Sequence, residues 1–256
     1  LYGWALHNLS KGDVIITSQL EHHSNFVVWQ EACKMTGAEL RVIPVLEDGT
    51  LDYAWMEANL DGVKLITLNY VSNALGTVLD IERVVSAART VKARVCIDGA
   101  PAVAHMPIDF HKLGVDFFAF SGHKMYGPMG SGGLLVKHEL LQNTEMQPWL
   151  FGGGMIAEVY ADKTTFHDDP IERFTAGTPD VASAVGLAAA CKYLQNMGMS
   201  EVAQHEAELV TYALEKLSEI SQLTVVGPTE NRVGSVAFLY EGVHAHDVAQ
   251  VLDSQG

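Results

Sequence analysis

Residues 94–101 read Arg-Val-Cys-Ile-Asp-Gly-Ala-Pro, and residues 117–128 read Phe-Phe-Ala-Phe-Ser-Gly-His-Lys-Met-Tyr-Gly-Pro. Each is a short apolar run that ends abruptly in polar and glycine residues. Such runs are expected to be strands covered on both faces. Working outward, the same kind of run recurs at 14–17, 40–44, 65–69 and 133–137. Helical patterns lie between them at 25–36 and 81–92. In the second, Ile81, Val84, Val85, Ala88 and Val91 form one stripe, as a sheet-covering helix requires. This alternation predicts βαβ units, so the chain up to about residue 140 is expected to be α/β, a mostly parallel sheet sandwiched by helices.

Beyond that point the pattern changes. Residues 147–179 read as a loop-rich stretch containing Gly152–Gly154, followed by helices at 181–197 and 201–220. The second helix is long and charged on one face, suited to connecting domains. A strand at 223–226, a Gly227-Pro228 turn, a strand at 234–240 and a helix at 245–254 then open a smaller α+β unit. The expected organisation is a large domain over 1–200, a connecting helix over 201–222 and the beginning of a small domain over 223–256. Leu1 is not a start methionine, and the terminal helix would normally hand the chain to another strand. A piece of a longer protein, cut at both ends, is therefore expected.

Of the 256 residues, 16 are basic and 31 acidic, a formal charge of −15. Such a chain repels phosphate backbones and anionic membranes, which argues against nucleic acid as a partner. No apolar run approaches the ~18 residues a membrane span needs. Cys33, Cys96 and Cys191 are too few and too far apart for a disulfide framework, which points to a reducing, cytoplasmic setting.

In open parallel sheets, ligands bind beyond the carboxyl ends of the strands. Asp98 ends one apolar strand, where it either caps the following turn or meets a cation on a ligand. Lys124 follows the next strand in a glycine-flanked turn. An aspartate and a lysine at adjacent strand ends, 26 positions apart, suit a pyridoxal 5'-phosphate (PLP) site. The lysine amine would form a Schiff base with the aldehyde, and the carboxylate would keep the pyridine nitrogen protonated, making the ring an electron sink. Ser121 and His123 offer donors for the phosphate. His22 could lie over the ring, and Asn73 could donate to its hydroxyl. His244 and His246 form a His-x-His pair with no third metal ligand evident; His105, His111 and His138 read as surface residues.

Five segments together resemble a known family: Glu21-His22-His23-Ser24-Asn25, Val71-Ser72-Asn73-Ala74-Leu75-Gly76-Thr77, Asp98-Gly99-Ala100, Ser121-Gly122-His123-Lys124-Met125-Tyr126-Gly127-Pro128 and Ala176-Gly177-Thr178-Pro179. They are similar to class V aminotransferase-fold enzymes, and within these to group II cysteine desulfurases. The resemblance implies an aspartate-aminotransferase-like (type I) PLP fold. It implies an activity that takes sulfur from L-cysteine, or selenium from selenocysteine, leaving L-alanine and passing the sulfur as a persulfide to an acceptor protein for iron–sulfur cluster assembly. It further implies that Lys124 carries the cofactor, Asp98 pairs with the pyridinium, and His22 stacks on the ring and shuttles protons. Asn73 would sit beside ring and substrate. Ser121 and His123 would hold the phosphate, joined by Thr178 from the second subunit of a homodimer. The Gly152–Gly154 loop would lie near the site mouth.

Two positions depart from the family pattern: Pro101 stands where a glutamine donor is usual, and Thr175 stands where a glutamate is common. The nucleophilic cysteine and the substrate-carboxylate arginine are expected after Gly256, and a phosphate loop before Leu1, so the segment alone is expected to be inactive. Cys33, Cys96 and Cys191 fall inside helix or strand patterns and read as buried hydrophobes. The alternatives left open are another class V enzyme, such as a selenocysteine lyase, a transaminase or an epimerase, and a catalytically dead PLP-fold binding protein.

Overall fold

The computed structural model describes residues 1–142 and 145–256. A six-stranded sheet is its centre, formed by β1 (Val14–Ser18), β2 (Glu39–Ile43), β3 (Val63–Asn69), β4 (Arg94–Asp98), β5 (Phe117–Ser121) and β6 (Gly132–Val136). The spatial order is β2-β1-β3-β4-β5-β6, with the first five strands parallel and β6 antiparallel to β5. The link from Ser121 to Gly132 is too short for the crossover a parallel pair needs, so the chain returns as a hairpin. Strand order reverses between β1 and β3, which puts a topological switch point in the sheet.

Period-two alternation sorts the strand side chains onto two cores. Ile16, Ile66, Leu68, Val95, Ile97 and Phe118 face one cluster with Met56, Ile81, Val84 and Ala88. These come from helices α3 (Tyr53–Ala58) and α4 (Ile81–Thr90). Ile15, Leu65, Cys96 and Phe117 face the other cluster with Trp4, Ala5, Trp29 and Ala32, from α1 (Tyr2–Asn8) and α2 (Val27–Thr36). The central strands are thus covered on both faces, as expected. The edges differ: most of β6 is exposed and β2 only half-buried. Val91 leaves the expected stripe because α4 ends before it, and its side chain is exposed.

Several helices begin at aspartate. Asp52 and Asp80 accept hydrogen bonds from Trp55 N and Arg83 N at the starts of α3 and α4, satisfying amides that would otherwise be unpaired. Asp109 caps α6 (Phe110–Leu113), which follows the short α5 (Ala102–His105). After α7 (His138–Gln142), the stretch expected to be loop contains a hairpin, β7 (Ile156–Val159) and β8 (Thr164–Phe166), and the one-turn α8 (Pro170–Arg173). Asp180 caps α9 (Val181–Met197), and α10 (Met199–Ser218) follows. The chain closes with β9 (Leu223–Val226) paired antiparallel to β10 (Ala237–Tyr240), then α11 (Ala245–Gln255). Among the described residues no helix is long and apolar enough to cross a membrane.

His105 is not a free surface residue. It is half-buried at the end of α5, and its Nδ1 lies 2.5 Å from the Glu206 carboxylate on α10, tying the two helices together.

Candidate active site

The carboxyl ends of β1, β4 and β5 open onto one cavity of about 380 Å³, within the range of small-molecule sites. His22, Asp98, Ser121, His123 and Lys124 all line it, together with Ser24, Asn25, Cys96 and Phe120. Five of the seven residues singled out from the sequence are therefore brought together. Asn73 and Thr178 are not among the lining residues. Asn73 is exposed on the turn after β3, where its carbonyl accepts from Ser235 Oγ at 3.3 Å. Thr178 is exposed in the segment before α9, beside Gly177, whose amide donates to Gly153 O at 2.8 Å. The Gly152–Gly154 loop thus packs on the Thr178 segment, and none of its glycines lines the cavity.

Asp98 is the last residue of β4, and both readings of it hold at once. Its Oδ1 accepts from Ala100 N at 2.9 Å, which caps the turn and orients the carboxylate. Oδ2 takes no hydrogen bond among the described residues, and no cationic side chain there pairs with Asp98. A half-buried carboxylate so placed suits a ligand cation.

Lys124 sits one strand away, in a one-turn 3₁₀ helix, Gly122–Met125, that follows β5 directly. Ser121 stands at the start of that helix with no capping hydrogen bond, which leaves its hydroxyl available to a ligand. The turn is tightly built. Gly122 N donates to Ser131 O and Gly127 N to Gly122 O, both at 2.8 Å. A Cβ on Gly122 would come within 2.0 Å of Ser131 Oγ, so a side chain there would push that hydroxyl off Pro128 O. Tyr126 closes the turn at φ +66°, an uncommon conformation for a non-glycine residue. Lys124 itself is exposed and makes no ion pair among the described residues. The donor set, with a primary amine, an unpaired carboxylate, a hydroxyl and two imidazoles around one cavity, fits PLP. Pro101 caps α5 and supplies no donor there.

His22 begins a 3₁₀ turn after β1. Its Nδ1 receives the Ser24 amide and faces the Ser24 hydroxyl, at 3.2 and 2.8 Å. An amide can only donate, so Nδ1 is the acceptor and the proton of the neutral ring sits on Nε2.

Beneath this turn lies a network that the sequence reading passed over. Glu21 accepts from Ser18 Oγ and Asn25 Nδ2, both at 2.6 Å. Asn25 Oδ1 in turn accepts from Trp29 Nε1 at 3.0 Å and Thr67 Oγ1 at 2.9 Å. Glu21 is half-buried as a residue, and its carboxyl is enclosed. Burial pushes its pKa up to about 7; the hydrogen bonds from Ser18 and Asn25 oppose the rise, and the nearby Asp98 charge adds to it. The ordinary value is 4.5, so between about pH 4.5 and 7 the folded protein holds a proton that the unfolded chain has released. Stability from this group is complete below that window and is lost as pH rises through it, by roughly 3 kcal/mol. The Glu21→Gln variant is expected to lose this slope: relative to wild type it gains about 3 kcal/mol between pH 4.5 and pH 8 in denaturant titrations. A pH-independent difference between the two proteins would refute the assignment. The sequence signal was present, since Ser18, Glu21 and Asn25 stand one helical turn apart, but a lone glutamate in a histidine-rich turn reads as solvated.

Cys96 lines the cavity wall, yet burial pushes its thiol up to about 12, so it stays protonated and inert. Cys33 is also buried, and its thiol is raised by burial. His244 caps α11 by accepting from His246 N at 3.2 Å. Among the described residues no group of three or more His, Cys, Asp or Glu side chains could hold a metal.

This mainly parallel sheet, with its site across the strand ends, is the large-domain architecture of PLP-dependent aminotransferase-like proteins. The chain belongs to the aminotransferase class-V family, whose model matches residues 1–256. It is 46% identical over 247 residues to a probable cysteine desulfurase 2 of Mycobacterium leprae, covering 96% of this chain and 58% of that protein. A cysteine desulfurase of Escherichia coli is 44% identical over 254 residues, which cover 99% of this chain and 62% of the relative. The apo structure of a cysteine desulfurase from Thermococcus onnurineus NA1 superposes with a TM-score of 0.93 at 36% identity, over 99% of this chain and 63% of that one. The chain therefore spans about three fifths of the curated relatives' length.

Proposed function

We propose that the whole protein is a PLP-dependent cysteine desulfurase that converts L-cysteine to L-alanine. The observation that carries this reading is the placement of Asp98 and Lys124 on adjacent strand ends around one cavity, with no cation paired to Asp98 among the described residues. The cysteine desulfurases at 44–46% identity support the choice of substrate. When bound, PLP supplies an electron sink for a carbanion at the substrate Cα. In this reading Lys124 Nζ anchors the cofactor and moves the proton at Cα. Asp98 holds the proton on the ring nitrogen, and Ser121 and His123 bind the phosphate. His22 covers the ring with its Nε2–H free to donate. Asn73 approaches from the turn after β3. The thiolate that takes the sulfur belongs to a cysteine other than Cys33, Cys96 and Cys191.

The sequence resemblance assigns Thr178 to the site of a second subunit; in its own subunit it lies outside the cavity lining. Exposed apolar side chains at Trp149, Leu150, Phe151, Val159, Val181 and Val185 support a homodimer interface. We read 1–200 as the cofactor domain, 201–222 as the connecting helix and 223–256 as the opening of the small domain. Three unpaired cysteines fit a reducing, cytoplasmic setting. An acceptor protein for the persulfide, and iron–sulfur cluster assembly as its destination, follow from the sequence resemblance.

The test is turnover by the whole protein supplied with PLP. Alanine release from L-cysteine is expected in wild type, and Asp98→Asn is expected to slow it by roughly 10²-fold or more, the size of losing a preorganised charge partner. Wild type that binds PLP but releases no alanine, or an Asp98→Asn variant as fast as wild type, would overturn the assignment.

A further inference from the structure

The turn that carries Asn73 is held by the C-terminal unit. Arg232 is almost completely buried, in the segment between β9 and β10. Its Nε donates to Leu75 O at 2.9 Å, and its Nη2 donates to Val226 O at the end of β9. One guanidinium thus joins a carbonyl of the Asn73 turn to a carbonyl of the small sheet. The backbones are stitched on both sides of it: Val233 N donates to Gly76 O at 3.0 Å, and Val78 N to Asn231 O at 2.9 Å. Ser235 Oγ reaches Asn73 O itself, at 3.3 Å. Gly76 lies at φ +72°, and a Cβ there would come within 2.5 Å of Ser235 O, so the two segments meet without room for a side chain.

A surface loop needs none of this. Burying a guanidinium is costly unless its donors are used; here Nε and Nη2 are spent on two carbonyls from different units, while Nη1 is buried with no partner among the described residues. We propose that Arg232 is a positioning residue: it locks the Asn73 turn to β9, so that this turn and the C-terminal unit move as one body. The consequence for turnover rests on the desulfurase reading above; the lock itself does not.

Two measurements on the whole protein separate these claims. Hydrogen exchange in Arg232→Met is expected to rise at least about tenfold at Val78 and Val233, with protection of β4 and β5 unchanged. Unchanged exchange at those two amides, or a uniform rise across the protein, would overturn the lock. Per bound cofactor, Arg232→Met and Asn73→Ala are each expected to lower kcat about tenfold or more with KM for cysteine little changed. If Arg232 acts through Asn73, the double variant falls within about twofold of the slower single variant. Multiplicative losses would mean independent roles and would overturn the positioning claim. Should Arg232→Met not fold, Arg232→Lys and Ser235→Ala carry the same two comparisons. Wild type that makes no alanine defeats the desulfurase reading and leaves hydrogen exchange to decide the lock.

Discussion

Replacing Lys124 with alanine in the whole protein is expected to abolish both the visible absorption of bound PLP and the release of alanine from L-cysteine, the latter by roughly 10³-fold or more. The size follows from two tasks falling on one nitrogen. In the proposed mechanism the amine holds the cofactor covalently and moves the Cα proton, and among the described residues no other lysine lines the cavity. A solvated surface lysine would give a different result, with unchanged absorption and turnover. The build of the turn supports the first case. Lys124 makes no ion pair among the described residues, yet it is carried on a turn where Gly122 packs against Ser131 and Tyr126 takes a left-handed conformation. Local cost of that kind persists where the surrounding structure requires a particular geometry. Lys124→Arg sharpens the test, because it keeps the positive charge but removes a primary amine able to react with an aldehyde. Loss in both variants assigns the role to the amine; retention of absorption and alanine release by Lys124→Ala would sink the mechanism.

How much of this was legible in the sequence depends on range. The apolar runs ending at Asp98 and Phe120 announce buried strands, and parallel strands place their ends together. The convergence of His22, Asp98, Ser121, His123 and Lys124 therefore follows from local pattern plus one topological rule. Asn73 follows a strand end as well, but its placement depends on Arg232, more than 150 residues away, and no local pattern reports that. The His105–Glu206 pair fails for the same reason, spanning 101 residues. The β7–β8 hairpin was missed for a different one. Ile156–Val159 and Thr164–Phe166 are short and largely exposed, so they carry no apolar period to read. Glu21 shows a third limit: its carboxyl is buried because β1 and β3 close over it, a property of assembly rather than of residue type.

The structural counterpart of Lys124 is Asp116, and its replacement by alanine is expected to be among the most destabilising single changes, at about 3–5 kcal/mol. Asp116 lies just before β5, the strand that ends at the lysine turn, and is fully buried. Its carboxylate accepts from Arg89 Nη1 at 3.0 Å, Arg94 Nη1 at 3.3 Å, Lys137 Nζ at 3.3 Å and the Val95 amide at 2.9 Å. Its own amide donates to Val95 O at 2.9 Å, so one residue pins β4 to β5 through backbone and side chain together. Removing the carboxylate leaves a buried amide without an acceptor and brings three cations together with only Glu145 to offset them, through Arg94 at 2.7 Å. The cations themselves keep between 27% and 38% of their side-chain surface exposed. Water can therefore take over when one of them is cut back, and Arg89→Met is expected to cost only about 1 kcal/mol. That asymmetry is the test. In denaturant titrations Asp116→Ala should shift the midpoint several times further than Arg89→Met, with the slope unchanged. Equal shifts would mean that the network behaves as a set of surface ion pairs and that β5 is held by its backbone pairing and apolar contacts without help from the Asp116 carboxylate.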